Sequence, residues 1–180
     1  MTNRSRHAMD VVSVNVGRPR IVRWKGRDVT TGIFKELEHY AYWQEDLGEN
    51  LTVEGLPLEH EVAIGDRFRV GSAELVVTQP RLPCYKLGRR FGRENMIRRF
   101  LLSGRTGYYL AEGEVGAGDA VETVARHPAQ IPVAEITRAY ASDRDDLATV
   151  ERLIALDALP NDWRRYFAKR LAALSTPTAN

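Results

Sequence analysis

As far as Val124 the chain is dominated by short apolar–polar alternations broken by glycine. Within Val11–Val16, the residues Val12, Val14 and Val16 share one face, the period-two signature of a strand. Ile21–Trp24 and Asp28–Ile33 flank Lys25-Gly26 and predict a hairpin. A stronger hairpin signal follows, with Arg67-Phe68-Arg69-Val70 leading through Gly71-Ser72 into Ala73–Thr78. The segment Ile64-Gly65-Asp66-Arg67-Phe68 is echoed by Ala117-Gly118-Asp119-Ala120-Val121, so twice a Gly-Asp turn feeds a strand. Many short strands separated by glycine turns predict a mainly β protein, a barrel or a sandwich. Helical periodicity interrupts this pattern at Glu38–Asp46 and again at about Glu94–Leu102.

Beyond Val124 the period changes. His127-Pro128-Ala129-Gln130-Ile131-Pro132 reads as a linker. Three helices are expected after it. The first is Val133–Tyr140. The second, Asp145–Leu156, carries Leu147, Val150, Leu153 and Ile154 on one side. The third starts at Pro160-Asn161-Asp162 and repeats Trp163, Tyr166, Phe167, Leu171 and Leu174 at helical spacing. That aromatic set reads as core, not as a surface for stacking bases. The expected division is a β domain over 1–126 and a linker with a three-helix domain over 127–180. So short a tail should pack on the barrel as well as on itself.

Composition adds little except in its distribution. A hydrophobic content of 43% and a charged content of 28% suit a globular protein. No stretch approaches the ~18 apolar residues of a membrane span, and the N-terminus lacks the ~7–15-residue apolar region of a signal peptide. A single cysteine fits a reducing compartment, so a cytoplasmic location is expected. The net charge of +2 conceals a strong local imbalance. Between Arg81 and Arg105 lie Arg81, Lys86, Arg89, Arg90, Arg93, Arg98, Arg99 and Arg105, opposed only by Glu94, so this window carries +7 and the remainder −5. Such a cluster concentrates anions, and arginine's planar fork pairs with phosphate in two places at once. The plainer alternative is a solvated helix face.

Inside that window stands Cys84, in Val-Thr-Gln-Pro-Arg-Leu-Pro-Cys-Tyr-Lys-Leu. A thiolate binds soft metals, and cations beside it suit a metal carried on an anionic organic cofactor. By itself a lone cysteine is more often a small buried hydrophobe. One cysteine cannot supply the four thiolates of an iron–sulfur cluster. His7, His39, His60 and His127 are scattered without zinc spacing. Neither a dinucleotide-binding glycine fingerprint nor a phosphate-binding Gly-Lys-Ser/Thr loop occurs. Gly113, Gly116 and Gly118 lie in an acidic turn that would repel phosphate.

Four segments in order carry a family resemblance: Gly48–Leu56, Ile64–Asp66, Val77–Leu87 and Gly104–Tyr109. Together they resemble the MOSC family, named for the C-terminal domain of molybdenum-cofactor sulfurase, and the tail resembles the three-helix domain of bacterial YiiM-like members. The resemblance implies a β-barrel and a pyranopterin molybdenum cofactor, with Cys84 as metal ligand and catalytic residue. Arg81, Lys86 and Arg105 would bind the cofactor's phosphate and polar pterin edge, and Thr78 and Asn50 would add hydrogen bonds. The chain departs from the family where Phe34-Lys35-Glu36 runs directly into Leu37-Glu38-His39-Tyr40. Members usually carry there a longer stretch that includes a His-Gly-Gly motif, and a second shortening falls between Leu47 and Gly48.

The expected function is therefore reduction of N-hydroxylated compounds such as hydroxylaminopurines and amidoximes. Deoxygenating N–OH takes two electrons and two protons, which side chains cannot deliver without a redox cofactor. With no flavin or iron–sulfur motif in the sequence, a separate electron-donor reductase is expected as partner. No membrane partner is expected, and a homodimer is compatible with this reading. The first alternative is a non-catalytic carrier of cofactor or sulfur. Nucleic-acid binding ranks last, because the residues outside the basic window are net negative.

Overall fold

The structure, a computed structural model, describes residues 9–14, 20–24, 26–31, 51–83, 85–103, 106–111, 115–142 and 146–175. Its strands are β1 (Met9–Val14), β2 (Arg20–Trp24), β3 (Arg27–Thr31), β4 (Leu51–Glu54), β5 (Arg67–Val70), β6 (Ala73–Pro80), β7 (Tyr108–Ala111) and β8 (Ala120–Ala125). The helices are α1 (Tyr85–Arg90), α2 (Met96–Leu102), α3 (Val133–Ala141), α4 (Leu147–Ala155) and α5 (Asn161–Ser175).

Six strands form one antiparallel sheet in the order β4-β1-β8-β5-β6-β7, and β2-β3 form a separate ribbon. The barrel expectation is met in part. The sheet is curled into a half-barrel, with β4 and β7 at its two ends among the described residues. Both hairpins turn where a glycine allows a positive φ, at Gly26 (φ 76°) and Gly71 (φ 54°).

The repeated Gly-Asp signature is one structural device used twice. Gly65 and Gly118 take φ 87° and 88°. In both turns the aspartate accepts from the N–H three residues earlier, Ala63 N to Asp66 Oδ2 at 2.9 Å and Gly116 N to Asp119 Oδ2 at 2.7 Å. The strands that follow, β5 and β8, pair with each other. In β1 the inward residue is Val11, 2% exposed, whereas Val12 and Val14 point outward at 56% and 41%. Period-two alternation identifies the strand but not which of its faces is covered.

One continuous core joins the sheet to the tail. Val11, Phe68, Val70, Leu75, Val77 and Val121 from the strands pack with Ile136, Val150, Leu153, Trp163 and Phe167 from the helices. Tyr140, Trp163, Tyr166 and Phe167 meet ring to ring, with Trp163 and Phe167 buried, as core and not as a stacking platform. The segment expected as a linker is stitched to the sheet. His127 N donates to Asp66 Oδ1 at 2.8 Å and Ile64 N donates to the Ile131 carbonyl at 3.0 Å. A Cβ at Gly65 would lie 2.5 Å from the His127 ring, so glycine is required for this approach. Asp146 caps α4, accepting from Thr149 N at 3.1 Å and from its hydroxyl at 2.7 Å. The helix expected over Glu38–Asp46 lies outside the described residues.

Candidate functional site

β6 ends at Pro80 and α1 begins at Tyr85, so Cys84 belongs to the short connection between them. Cys84, Arg105 and Asn50 themselves lie outside the described residues, as does the side chain of Lys86, a residue of α1. The two other sequence-nominated residues are placed. The Thr78 hydroxyl donates to the Tyr109 carbonyl at 3.1 Å, where the β6–β7 register shifts between Val77 and Gln79. Arg81 N donates to the Gly107 carbonyl at 2.9 Å, and its guanidinium carbon lies 5.7 Å from the centre of the Phe100 ring. The strand leading to Cys84 and the segment after Arg105 are thereby tied side by side.

A short helix follows the cysteine directly, an element that the sequence pattern does not predict. Its C-terminal turn is closed locally before α2 begins, with Arg93 N donating to the Gly88 carbonyl at 2.8 Å. A Cβ at Gly88 would lie 2.9 Å from the Arg93 carbonyl oxygen, so glycine allows the close turn. Leu87 and Phe100 point inward from this pair, whereas Tyr85, Arg98 and Arg99 face outward. Arg93, Arg98 and Arg99 are exposed and form no ion pair with any described residue, so this part of the basic window is a solvated surface.

Sequence reasoning missed Glu59. This side chain is 3% exposed and sits in the turn before β5. Its Oε1 accepts from the Thr106 hydroxyl at 2.9 Å and from Gly107 N at 2.5 Å. Its Oε2 is buried with no partner among the described residues, and so is the hydroxyl of Tyr108. Burial pushes the Tyr108 phenol well above its usual range, and the negative charges of Glu59 and then Asp66 add to the effect. The helical tail also reaches this region. Trp163 Nε1 donates to Gln79 Oε1 at 2.9 Å, and Ala134 N at the start of α3 donates to the Glu59 carbonyl at 3.0 Å.

The half-barrel followed by three helices has relatives among known proteins, and the sequence matches known families. The MOSC domain model matches residues 33–122 and the model of the YiiM-like 3-alpha helix domain matches residues 131–174, and the chain belongs to the MOSC family, in its YiiM-like branch. It is 32% identical over 207 positions to the uncharacterized protein YflK of Bacillus subtilis, covering 89% of this chain and 93% of that protein. It is 34% identical to the protein YiiM of Escherichia coli, over 74% of this chain and 65% of that one. The crystal structure of YiiM from Geobacillus stearothermophilus superposes with a TM-score of 0.73 at 28% identity, over 91% of this chain and 99% of that one. The alignment to YflK spans 207 positions against a chain of 180 residues, so that relative carries residues for which this chain has no counterpart.

Proposed function

We propose that this chain is a molybdenum-cofactor-dependent oxidoreductase that reduces N-hydroxylated compounds to the corresponding amines or amidines. The observation that carries the reading is the sole cysteine of the chain standing in the β6–α1 connection, at the head of a window of charge +7. A further support is the 30% identity over 49% of this chain to a fungal protein named Reductase from Gibberella moniliformis, of which the match covers 18%.

The residues suit such a group. Cys84 supplies the soft donor a molybdenum centre takes. Arg81, three residues earlier in the sequence and anchored through its own N–H and the Phe100 ring, carries a guanidinium, and Lys86 and Arg105 add charge for a phosphate. Thr78 spends its hydroxyl proton on the Tyr109 carbonyl, so toward a ligand it offers oxygen lone pairs; Asn50 would add a further hydrogen bond. When bound, the cofactor would supply two-electron redox chemistry. In the overall change the substrate N–O bond breaks, two electrons and two protons are taken up, and oxygen leaves as water. The electrons come from a separate reductase, for which the exposed Arg93, Arg98 and Arg99 offer a cationic surface.

Protein purified with its molybdenum, given electrons from reduced viologen, should convert hydroxylaminopurines or amidoximes to the deoxygenated products. One observation favours the carrier reading instead: the positions present in YflK and missing here, whose loss could remove part of a pocket wall. Full molybdenum occupancy without donor oxidation across several N-hydroxy substrates would decide for the carrier.

A further inference from the structure

We propose that Glu59 is a positioning residue for the Cys84 segment, acting as a hydrogen-bond acceptor of fixed length. The inference rests on the reading of Cys84 as the working residue of the site, and it concerns how that residue is held in place.

Glu59 links stretches of chain distant in sequence, α3 through its backbone carbonyl and the Thr106–Gly107 segment through its carboxyl group. The Glu59 backbone carbonyl is held by Ala134 N of α3, and the loop is closed by Leu58 N donating to Glu61 Oε2 at 3.0 Å. The side chain then reaches across to a partner 47 residues later, the Thr106 hydroxyl, and to the adjoining N–H of Gly107. The carbonyl of Gly107 receives the N–H of Arg81, three residues before Cys84 in the sequence. The continuous path is α3, Glu59, Gly107, Arg81 and then the connection that carries the thiol.

Two features show that this is not ordinary core filling. Gly107 takes φ 81°, so the backbone turns sharply at the point where it presents its N–H to Glu59 and its carbonyl to Arg81. A buried carboxyl is costly unless its oxygens are bonded, yet among the described residues both bonds fall on Oε1 and Oε2 has none. A hydrocarbon side chain would fill the same space without that cost. What the carboxyl adds is a single oxygen that grips Thr106 and Gly107 together, at the start of the strand after Arg105.

The test uses the full chain and its single cysteine, whose rate of reaction with a thiol reagent such as Ellman's reagent reads the segment without any cofactor. Glu59→Gln keeps an oxygen at the same reach, Glu59→Asp keeps the charge one methylene short, and Glu59→Ala removes the acceptor. We expect Gln to react at the wild-type rate, and Asp and Ala to react faster by about fivefold or more, the factor that a lost hydrogen bond commands. Circular dichroism shows which variants are folded, and where Ala is not, Asp decides. Wild-type rates in folded Asp and Ala variants would overturn the proposal. So would a wild-type rate in Asp with a raised rate in Gln, which would mean that charge and not reach is what matters. Molybdenum content measured on the same variants speaks to the proposed function alone: shifted thiol rates with no molybdenum in any variant would sink that function and leave the positioning role standing.

Discussion

Two buried carboxylates seven residues apart are treated in opposite ways by the fold. Asp66, 0% exposed, has every contact a buried anion needs. Ala63 N and Arg126 Nη1 reach Oδ2 at 2.9 and 2.7 Å, and His127 N reaches Oδ1 at 2.8 Å. Glu59, 3% exposed, has both its donors on one oxygen and no cation bonded to it among the described residues. Asp66 welds the sheet to the segment that leads into the helices, and its job is complete within the fold. Glu59 holds Thr106 and Gly107, and Gly107 in turn receives the N–H of Arg81, three residues before the cysteine proposed to hold a cofactor. Of these two carboxylates, the fully satisfied one serves the scaffold, and the partly satisfied one lies on the hydrogen-bonded path that leads to Arg81.

The largest effect should come from the scaffold side of the comparison. Asp66→Ala strands two backbone N–H groups and releases Arg126, and we expect a loss of about 2–4 kcal/mol in urea unfolding. Because Arg126 is half-exposed it can turn to water, which keeps the loss from being larger. A loss as small as that of a surface substitution would erase the distinction drawn between the two carboxylates.

Tyr108 sharpens the contrast from the other side. Its hydroxyl is buried without a partner among the described residues, so Tyr108→Phe should leave stability unchanged or raise it by about 1 kcal/mol. The sign with pH can be stated. Burial raises the folded phenol above its ordinary 10.0, so above that pH the unfolded chain loses the proton first. Stability present below pH 10.0 is then lost as pH rises toward the folded value, and that contribution should vanish in the Phe variant. If Tyr108→Phe is instead clearly destabilised near neutral pH, the hydroxyl has a structural partner and the contrast fails.

The smallest effect belongs to Asp146, an exposed cap remote from both. The Thr149 hydroxyl and then its N–H hold this carboxyl below its usual 3.8. Its contribution is present above pH 3.8 and is lost as pH falls through the depressed folded value. Asp146→Ala should lower the melting temperature slightly at pH 7 and by less at pH 2, a difference that calorimetry at the two pH values resolves.

What the sequence made legible follows from how local each signal is. The Gly71-Ser72 hairpin, the doubled Gly-Asp turns and the three tail helices are each written in adjacent residues, and each is found. The family was equally legible, because four short segments in order carry it. The outward face of Val12 and Val14 was not, since burial depends on which side of the sheet the helices cover. Helix α1 was hidden by its brevity, being too short to show a period, and the turn that ends it depends on a close approach of Gly88 to the Arg93 carbonyl. Glu59 left no local trace. It is one acid in a polar loop, and its meaning comes from Thr106, 47 residues on.

The central claim is that Cys84 holds a molybdenum cofactor, and the most direct measurement is metal content by mass spectrometry with X-ray absorption at the molybdenum edge. Protein produced in a host that makes the cofactor should contain molybdenum together with the fluorescence of an oxidised pterin. Cys84→Ser, with circular dichroism unchanged, should lose most of the metal or show one sulfur fewer around what remains. Equal molybdenum in the two proteins, with an identical sulfur shell, would contradict the account.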